Sequence, residues 1–373
     1  MKLAFLSPGK PAVSRYETGD TLGIETQIWG NATVLASRGH LVTIMRRSSH
    51  DGTTRHPNGI VIQDLKTPSI GSEILMMFAF SRRCTDLFKD DGDTVAMLTE
   101  RVTSFCFRHK RTPRVFTLHL SDGVLKLGSE DSVWGALTRI PKRILEYSAL
   151  RSSDSIVVLT PQARGILGQL GISSEVIPNA IDPAELISGP DDGFFLYGGR
   201  LVRSKGIEYL LRAAKMLRTK HPELGIRIIG SGPDEPRLKK LTVALGLERV
   251  ARFEPFATRK EYLRNVASCT AFVLPSIQEA FPVTVIEAMG SGKPVIVADV
   301  TGPGEIVSDG VDGFVVPPAD VDGIARAMER LIENPNLGND MGRRGKAKIV
   351  KTYTFAETAK YYERICKDLV ARQ

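Results

Sequence analysis

The chain has 373 residues, of which 42% are hydrophobic and 25% are charged, and its net charge at pH 7 is +8. These values are typical of a soluble globular protein with two domains, and no apolar run approaches the roughly 20 residues of a membrane-spanning helix. Four scattered cysteines without metal-ligand spacing favour free thiols in a reducing cytosol. The first ten residues predict a short strand rather than a signal peptide.

Predicted strands and helices alternate in the first half of the chain, which indicates a parallel sheet covered by helices on both faces. The predicted strands are Lys2–Leu6, Leu41–Met45, Ile60–Asp64, Thr94–Leu98, Arg114–Leu118, Ser155–Leu159 and Glu175–Pro178. The predicted helices are Ile24–Arg38, Ile70–Phe88, Arg139–Ser148 and Pro161–Leu170.

The second half repeats the alternation after an aperiodic segment, residues 179–193, which contains two prolines and is the best linker candidate. The predicted strands are Gly193–Tyr197, Ile226–Gly230, Ala251–Glu254, Thr270–Leu274, Val295–Val297 and Gly313–Val316. The predicted helices are Ser204–Lys220, Glu235–Leu245, Arg259–Ala267, Pro282–Met289, Val321–Glu333 and Thr354–Val370. We therefore expect one domain over residues 1–185, a second domain over 186–352 and a C-terminal helix over 353–373 that packs back on the first domain.

The most informative segment holds two glutamates eight residues apart, Glu279 and Glu287, directly after a buried strand. Pro282 suits the first position of the following helix, because its missing N–H costs nothing there. The amides of residues 283–285 would then lack partners and, with the helix dipole, favour an anion. A phosphate held at this helix with a carboxylate on either side suits a nucleotide sugar. The alternative is an ordinary strand–loop–helix unit with two surface glutamates.

A second segment, YGGRLVRSKG at residues 197–206, follows a strand and opens a helix. Gly198 and Gly199 allow close approach of a ligand to the backbone, while Arg200 and Lys205 supply positive charge. These charges can neutralise a diphosphate leaving group without a metal ion. The alternative is a solvated basic loop.

Together these segments resemble the retaining family 4 glycosyltransferases, whose GT-B fold is α/β, with two facing Rossmann-like domains, parallel sheets and an interdomain cleft. The resemblance covers nearly the whole chain, and it implies that the domain over residues 1–185 binds the acceptor and the domain over 186–352 binds the nucleotide sugar. It rests on GGRLVRSKG, on the glutamate pair, and on four shorter stretches, IGSGP at 229–233, GSGKP at 290–294, GEIV at 304–307 and DGVDG at 309–313.

The resemblance assigns roles to individual residues. Arg200 and Lys205 would bind the diphosphate, Glu287 would hold the ribose hydroxyls and Glu279 would face the transferred sugar. The backbone from Ala280 to Thr284, including Phe281, Val283 and Thr284, would line the sugar and phosphate, and Gly230 would also contact the donor. In the first half, Gly23 resembles part of a glycine pair that opens the first helix, and His119 resembles a histidine that contacts the donor sugar.

The sequence departs from the family pattern at three places. Leu22 replaces the first glycine of the pair before Glu25, and Ala180 replaces a glycine after Asn179. The family's Glu-Gly-Phe-Gly is here Glu279-Ala280-Phe281-Pro282, and Pro282 removes one N–H donor. Val283 and Thr284 are therefore the better candidates for contacts with phosphate.

Several other motifs are rejected. The stretch GSGK at 290–293 lacks the first glycine of a P-loop, because position 287 is Glu, and a strand follows it instead of preceding it. Gly230 and Gly232 lack the third glycine of a dinucleotide fingerprint. The stretch DGD at 91–93 imitates a metal-binding motif but is typical of a turn. We therefore expect no metal site and no cofactor other than the donor.

Basic residues are concentrated between Arg101 and Arg151, with Phe105 and Phe107 among them. A solvated helix face is one interpretation, and contact with an anionic membrane surface is the other. Nucleic-acid binding is less favoured, because no known module is present. The expected location is the cytoplasm, with peripheral contact at the inner membrane face.

The favoured hypothesis is a retaining, metal-independent hexosyltransferase (EC 2.4.1). It would move a hexose from a UDP-, GDP- or ADP-sugar to a hydroxyl of a glycan, a lipid-linked sugar or a small molecule. A nucleotide-sugar epimerase or phosphorylase of the same fold is one alternative, although no Schiff-base lysine stands out for a pyridoxal-type phosphorylase. A non-catalytic sugar-nucleotide binding protein is the other.

Overall fold

The computed structural model describes residues 1–7, 23–67, 73–87, 94–99, 111–118, 147–256 and 258–372. The described chain forms two compact units. The first contains the described residues up to Asn179 together with those from Phe355 onward, and the second contains Ala180–Thr354. From residue 147 onward, the described chain passes from the first unit to the second after Asn179 and returns to the first with its last helix.

The first unit is built on an eight-stranded sheet with the order β3-β4-β2-β1-β5-β6-β7-β8. Neighbouring strands are parallel except for β3 and β4, which pair antiparallel. The sequence patterns did not predict β3, because its residues are mostly exposed and show no apolar pattern. The strands are β1 Lys2–Ser7, β2 Leu41–Ser48, β3 Gly52–Arg55, β4 Val61–Lys66, β5 Thr94–Leu98, β6 Arg114–Leu118, β7 Ser155–Val158 and β8 Glu175–Val176.

Helices cover both faces of this sheet, as the alternation predicted. Alternate residues of a strand point to opposite faces. Leu3 and Phe5 join one core cluster with α1 and α11, whereas Ala4 and Leu6 join another with α2 and α3. The described helices with defined bounds are α1 Ile24–Ser37, α2 Glu73–Leu87, α3 Pro161–Gln169 and, from the end of the chain, α11 Phe355–Ala371.

The last helix, α11, is part of the core of the first unit. Tyr362, Ile365 and Leu369 are buried in the same cluster as Leu3 of β1. Gly30 of α1 lies against the Phe355 ring, where any side chain would overlap with the ring. The packing of α11 on α1 therefore depends on a small residue at this contact.

The second unit has a six-stranded sheet with the order β11-β10-β9-β12-β13-β14, and its strand pairs are parallel. The strands are β9 Phe194–Gly198, β10 Gly225–Ile229, β11 Ala251–Glu254, β12 Ala271–Leu274, β13 Val295–Ala298 and β14 Phe314–Val316. The helices are α4 Ile207–Leu217, α5 Glu235–Ala244, α6 Arg259–Ser268, α7 Val283–Gly290, α8 Pro303–Ile306, α9 Val321–Glu333 and α10 Pro335–Thr352.

Helix α10 was not predicted. It begins at Pro335, with only Asn334 between it and the end of α9, and its opening sequence, PNLGND, is rich in turn formers. The Asn334 side chain accepts the Leu337 amide at 3.2 Å and so caps the new helix.

Two simpler expectations concern thiols and membrane spans. Cys84, Cys269 and Cys366 are buried, whereas Cys106 lies outside the described residues. Among the described helices, none combines the length and the apolar character needed to cross a bilayer.

Candidate functional site

The strand order of the second unit places the two predicted segments side by side. The chain runs from β9 outward to β11, then returns to place β12 on the other side of β9. Ligands of such sheets bind at the carboxyl ends of the strands where the order reverses. Residues 198–206 follow β9 and residues 275–287 follow β12, so both segments lie at this point.

The backbones of these two segments are joined directly. The Ser204 carbonyl accepts the amides of Ile277 at 2.8 Å and Gln278 at 3.3 Å. Gly206 has a φ of +63°, and any side chain there would overlap with the carbonyl of Pro275. Glycine at 206 is thus required both by its conformation and by this close approach.

Lys205 and Glu279 form an ion pair between the two segments. The Lys205 ammonium donates to Oε2 of Glu279, and Oε1 accepts the amide of Ala280 at 3.0 Å. Both side chains are partly accessible. The structure therefore brings together two of the predicted catalytic residues, 74 positions apart, with a polar face open to a ligand.

Arg200 is exposed at the carboxyl end of β9. Its carbonyl accepts the hydroxyl of Tyr197 at 2.8 Å, and Tyr197 is fully buried. Burial, and secondarily the Glu279 charge, raise the pKa of Tyr197, so its hydroxyl keeps the proton that it donates. Gly230, at the end of β10, lies against the Gly199 carbonyl so closely that a side chain would overlap with it. The backbone that carries Arg200 is thus fixed from two sides.

Helix α7 begins one residue later than predicted. Pro282 is its N-cap, with φ −84° and ψ 102°, and Val283 is the first helical residue. The Val285 amide donates to the Pro282 carbonyl at 3.1 Å, so the expectation that it lacks a partner was wrong. The amides of Val283 and Thr284 remain as the first-turn donors that can face an anion.

The Phe281 side chain is buried against another aromatic ring. It is 7% exposed, and its ring centroid lies 5.9 Å from that of Tyr353. Its predicted part in donor binding is therefore restricted to its backbone.

Glu287 is buried and bound to an arginine that the sequence analysis did not identify. Its Oε1 accepts Nη1 of Arg259 at 2.7 Å, and Arg259 also bonds Glu185. Burial raises the pKa of Glu287 above its usual 4.5, and Arg259 opposes that shift. Burial alone would lower the pKa of Arg259, but the carboxylates of Glu287 and Glu185 raise it, so the guanidinium is charged.

The two predicted residues of the first unit have different outcomes. Gly23 is the N-cap of α1, and its φ of +78° is one that glycine adopts without strain. His119 lies outside the described residues, as do most of the basic residues between Arg101 and Arg143 and the loop from Pro8 to Thr21.

One group in the described part of the chain has the composition of a metal site. The potential ligand atoms of His221, Glu329 and Glu333 lie within 4.8 Å of one another. The ammonium of Lys220 already bonds both carboxylates at 2.7 Å. This arrangement is an ion-pair network between the α4–β10 connection and α9, and it lies apart from Lys205 and Glu279.

A cavity of about 400 Å³ lies at the amino ends of three strands of the first sheet. Lys2, Leu41 and Thr94, the first residues of β1, β2 and β5, line it. Because ligands of parallel sheets bind at the carboxyl ends, its position argues against a catalytic role.

Two family profiles match consecutive parts of the chain. Glycosyltransferase Family 4 matches residues 22–185, and Glycosyl transferases group 1 matches residues 180–348. The chain belongs to glycosyltransferase family 4. The resemblance inferred from the two polar segments is thereby confirmed.

Relatives in this group differ in the products that their names imply. A D-inositol 3-phosphate glycosyltransferase of Streptomyces griseus is 35% identical over 41% of the chain and 34% of its own length. Alpha-D-kanosaminyltransferase of Streptomyces kanamyceticus is 33% identical over 40% and 39%. Glycogen synthase of Mycobacterium tuberculosis is 28% identical over 66% and 61%. The chain thus spans less than two thirds of the length of these curated relatives.

Solved structures match over the full chain at low identity. Sucrose-phosphate synthase of Thermosynechococcus elongatus has a TM-score of 0.84 at 19% identity and covers 100% of both chains. Anabaena HepE, solved with UDP and glucose, has a TM-score of 0.75 at 18% identity and covers 98% of this chain and 99% of its own. The fold is therefore GT-B, with two Rossmann-like domains, as predicted.

Proposed function

We propose that this protein is a retaining hexosyltransferase that uses a nucleotide diphosphate sugar and needs no metal ion. The C1–O bond to the diphosphate would break, and the acceptor oxygen would bond to C1 as it loses its proton. The nucleoside diphosphate would leave with the electrons of the broken bond. Family membership supports the reaction class, and the resemblance to family 4 supports retention.

The observation that carries the proposal is the ion pair of Lys205 with Glu279 beside the first turn of α7. As the diphosphate departs, negative charge develops near Lys205, Arg200 and the amides of Val283 and Thr284. Positive character develops on the sugar near Glu279. Opposite charges that are already in position lower the barrier without reorganising at the moment of reaction.

Lys205 has a second consequence for donor binding. In the free protein its charge is neutralised by Glu279, so a bound diphosphate would share the ammonium with that carboxylate. Arg200 is exposed, so a diphosphate can reach its guanidinium directly. We expect Arg200 to contribute more to donor affinity than Lys205 does. Gly23 and His119 remain proposed contacts of the donor.

The donor base can be found by ligand screening. HepE was solved with UDP, which makes UDP the first candidate. A ligand that binds only the native state raises its melting temperature. UDP, GDP, ADP and their sugars should therefore be compared by thermal shift, followed by transfer assays against glycan, lipid-linked and small-molecule acceptors.

Variants then test the site itself. Arg200→Ala and Lys205→Ala should each lower turnover by about 10²-fold, by analogy with other lost charge-stabilising groups. Lys240→Ala removes an exposed charge on α5 and should leave turnover unchanged. Near-normal turnover in both site variants would contradict the mechanism. Donor consumption without an acceptor would favour an epimerase, and binding without turnover across the whole panel would favour a sugar-nucleotide binding protein.

Peripheral contact with an anionic membrane is a separate part of the proposal. It is supported by the basic, partly aromatic sequence between Arg101 and Arg151. The protein should sediment with anionic liposomes at low salt and be released at high salt. Failure to sediment would remove this part and leave the transfer reaction untouched.

A further inference from the structure

Three separate pieces of backbone in the second unit converge on the guanidinium of Arg259. Nη1 donates to Oε1 of Glu287 at 2.7 Å. Nε donates to Oε2 of Glu185 at 2.7 Å, and Nη2 lies 2.7 Å from the same oxygen. One cation thus joins the start of α6, the middle of α7 and the segment that enters the second unit.

Each member of this chain of charges is held locally. Arg259 is the first residue of α6, and the Thr258 hydroxyl caps that helix by accepting the Glu261 amide at 3.2 Å. Glu185 ends a short 3₁₀ turn, Pro183–Glu185, which the Asp182 carboxylate caps at 2.9 Å. The guanidinium therefore sits between anchored elements and has little freedom to reorient.

Burial makes the pair of Glu287 with Arg259 unlike a surface salt bridge. The side chain of Glu287 is 3% exposed and that of Arg259 is 11% exposed. A carboxylate buried to this extent stays charged only if a fixed cation compensates for its lost hydration. Arginine suits this position, because its planar fork can bond two carboxylates in different directions at once.

A purely structural ion pair would give the same distances, but the location argues for more. Glu287 lies on α7, one turn beyond the amides of Val283 and Thr284 that the proposed function assigns to phosphate. Arg259 bonds Oε1, and the Tyr262 hydroxyl is another donor that acts on this carboxyl. Because an ionised carboxylate offers about four acceptor sites, capacity for a further donor remains. A ribose hydroxyl is such a donor, and it is joined to a diphosphate by a short linkage.

We propose that Arg259 is a positioning residue: it orients the Glu287 carboxyl group so that the second oxygen accepts a ribose hydroxyl of the donor. The inference rests on the proposed function, which gives Glu287 the ribose. Glu185 is a supporting anchor, since it fixes the other side of the guanidinium but, being half-exposed, is more easily replaced by water.

The test compares nucleotides with and without ribose hydroxyls. UDP, GDP and ADP are each titrated calorimetrically alongside their 2′,3′-dideoxy counterparts, and the base that the wild type prefers is used. Wild type should bind the ribonucleotide about 10-fold more tightly, as expected for one hydrogen bond to a charged group. Arg259→Met should remove most of this preference, with the dideoxy affinity changed by less than about twofold.

A matched control is available in the same unit. Arg237 also lies between two carboxylates, with 2.7 Å bonds to Asp234 and Glu208, but not beside Glu287. Arg237→Met should leave the preference for ribose hydroxyls intact. In Glu287→Gln the preference should already be weak, and adding Arg259→Met should reduce it little further, because both changes act on one interaction.

The outcomes separate the inference from the proposed function. If wild type does not discriminate between the two nucleotides, the ribose role of Glu287 is wrong, whatever Arg259 does. If wild type discriminates and Arg259→Met discriminates equally, the positioning role is overturned. Should Arg259→Met fail to fold, Arg259→Lys decides instead, since an ammonium keeps the charge but cannot bond both carboxylates in a fork. Its preference should be intermediate, and a fully retained preference would overturn the inference.

Steady-state kinetics give a second readout. Loss of an interaction made equally in the ground and transition states raises KM and leaves kcat unchanged. Arg259→Met should therefore raise the donor KM by about 10-fold with kcat nearly constant. A fall in kcat with unchanged KM would contradict a role in holding the ribose.

Discussion

The second unit contains two carboxylate–cation pairs whose glutamates, Glu279 and Glu287, lie eight residues apart. The two pairs differ chiefly in their exposure. Lys205 and Glu279 are 22% and 11% exposed, whereas Arg259 and Glu287 are 11% and 3% exposed. The first pair joins two strand-end loops, and the second joins two helices and a 3₁₀ turn. In the open pair a ligand can share the cation with the carboxylate, whereas in the buried pair the cation compensates for the lost hydration of the carboxylate. A cation next to a glutamate is therefore not enough to identify a catalytic group.

The largest effect on stability should come from breaking the buried pair. Arg259→Met leaves Glu287 buried without its cation, and losing one partner of a buried pair costs about 3 kcal/mol. Lys205→Met leaves a partly hydrated Glu279 and should cost less than about 1 kcal/mol. Urea unfolding of both variants beside wild type measures the difference. Equal losses in the two variants would show that exposure does not separate the pairs.

For turnover we expect the opposite order: a change in the open pair should have a larger effect than a change in the buried pair. Glu279→Gln keeps the shape of the side chain and removes the charge that we propose faces the sugar. We expect turnover to fall by about 10²-fold while the free energy of unfolding changes little. Glu287→Gln should instead act mainly on the donor KM. If Glu279→Gln keeps wild-type turnover, the open pair is not the reacting centre.

The sequence patterns predicted only part of this contrast. Apolar strands and the order of elements predicted the location of Lys205 and Glu279, because residues after neighbouring parallel strands meet at one edge. Arg259 was missed because it lies 28 residues before Glu287, at the start of an ordinary amphipathic helix, and no spacing rule links the two. The same limit explains Tyr197, whose hydroxyl fixes the Arg200 backbone although the residue looks like part of an apolar strand.

The fold was predictable where burial imposes a period. Helix α9 has the predicted bounds, Val321–Glu333, and β11 has the predicted Ala251–Glu254. Strand β3 was not predicted because it is mostly exposed, and helix α10 was not predicted because it begins with turn-forming residues. Pro282 was placed one residue too far into α7, because proline suits the N-cap here as well as the first turn. Such boundaries depend on tertiary contacts rather than on propensity.

The pH dependence of stability should distinguish the buried glutamate. Burial raises the folded pKa of Glu287 above 4.5, while Arg259 opposes the shift and Glu185 and Tyr262 are the other groups that act on it. The folded protein then holds this proton more tightly than the unfolded chain does. The contribution of Glu287 is fully favourable below the unfolded pKa and is lost as pH rises through the folded pKa.

Denaturation of wild type and Glu287→Gln between pH 4 and pH 8 tests this sign. The stability of wild type relative to the variant should decline as pH increases. In the Arg259→Met background the decline should extend to higher pH, because the opposing cation is gone. A relative stability that increases with pH would mean that the folded pKa is lowered instead.

The smallest effect should come from a partly exposed carboxylate of the first unit, where the sign of the pH dependence is reversed. Hydrogen bonds from Lys367 and, less strongly, Arg38 lower the pKa of Glu363 to about 2, although burial opposes them. The stability that Glu363 adds is present above pH 4.5 and is lost as pH falls through about 2. Glu363→Gln should lower the free energy of unfolding at pH 7 by less than about 1 kcal/mol, and 1 M salt should reduce the difference.

Unfolding of wild type and Glu363→Gln at pH 7, 5 and 3 measures this difference. The free energies of unfolding of the two proteins should become more similar as pH falls, whereas for Glu287 the relative stability of wild type improves in that direction. A constant difference across this range would show that Glu363 acts through packing of α11 on α1 rather than through its charge.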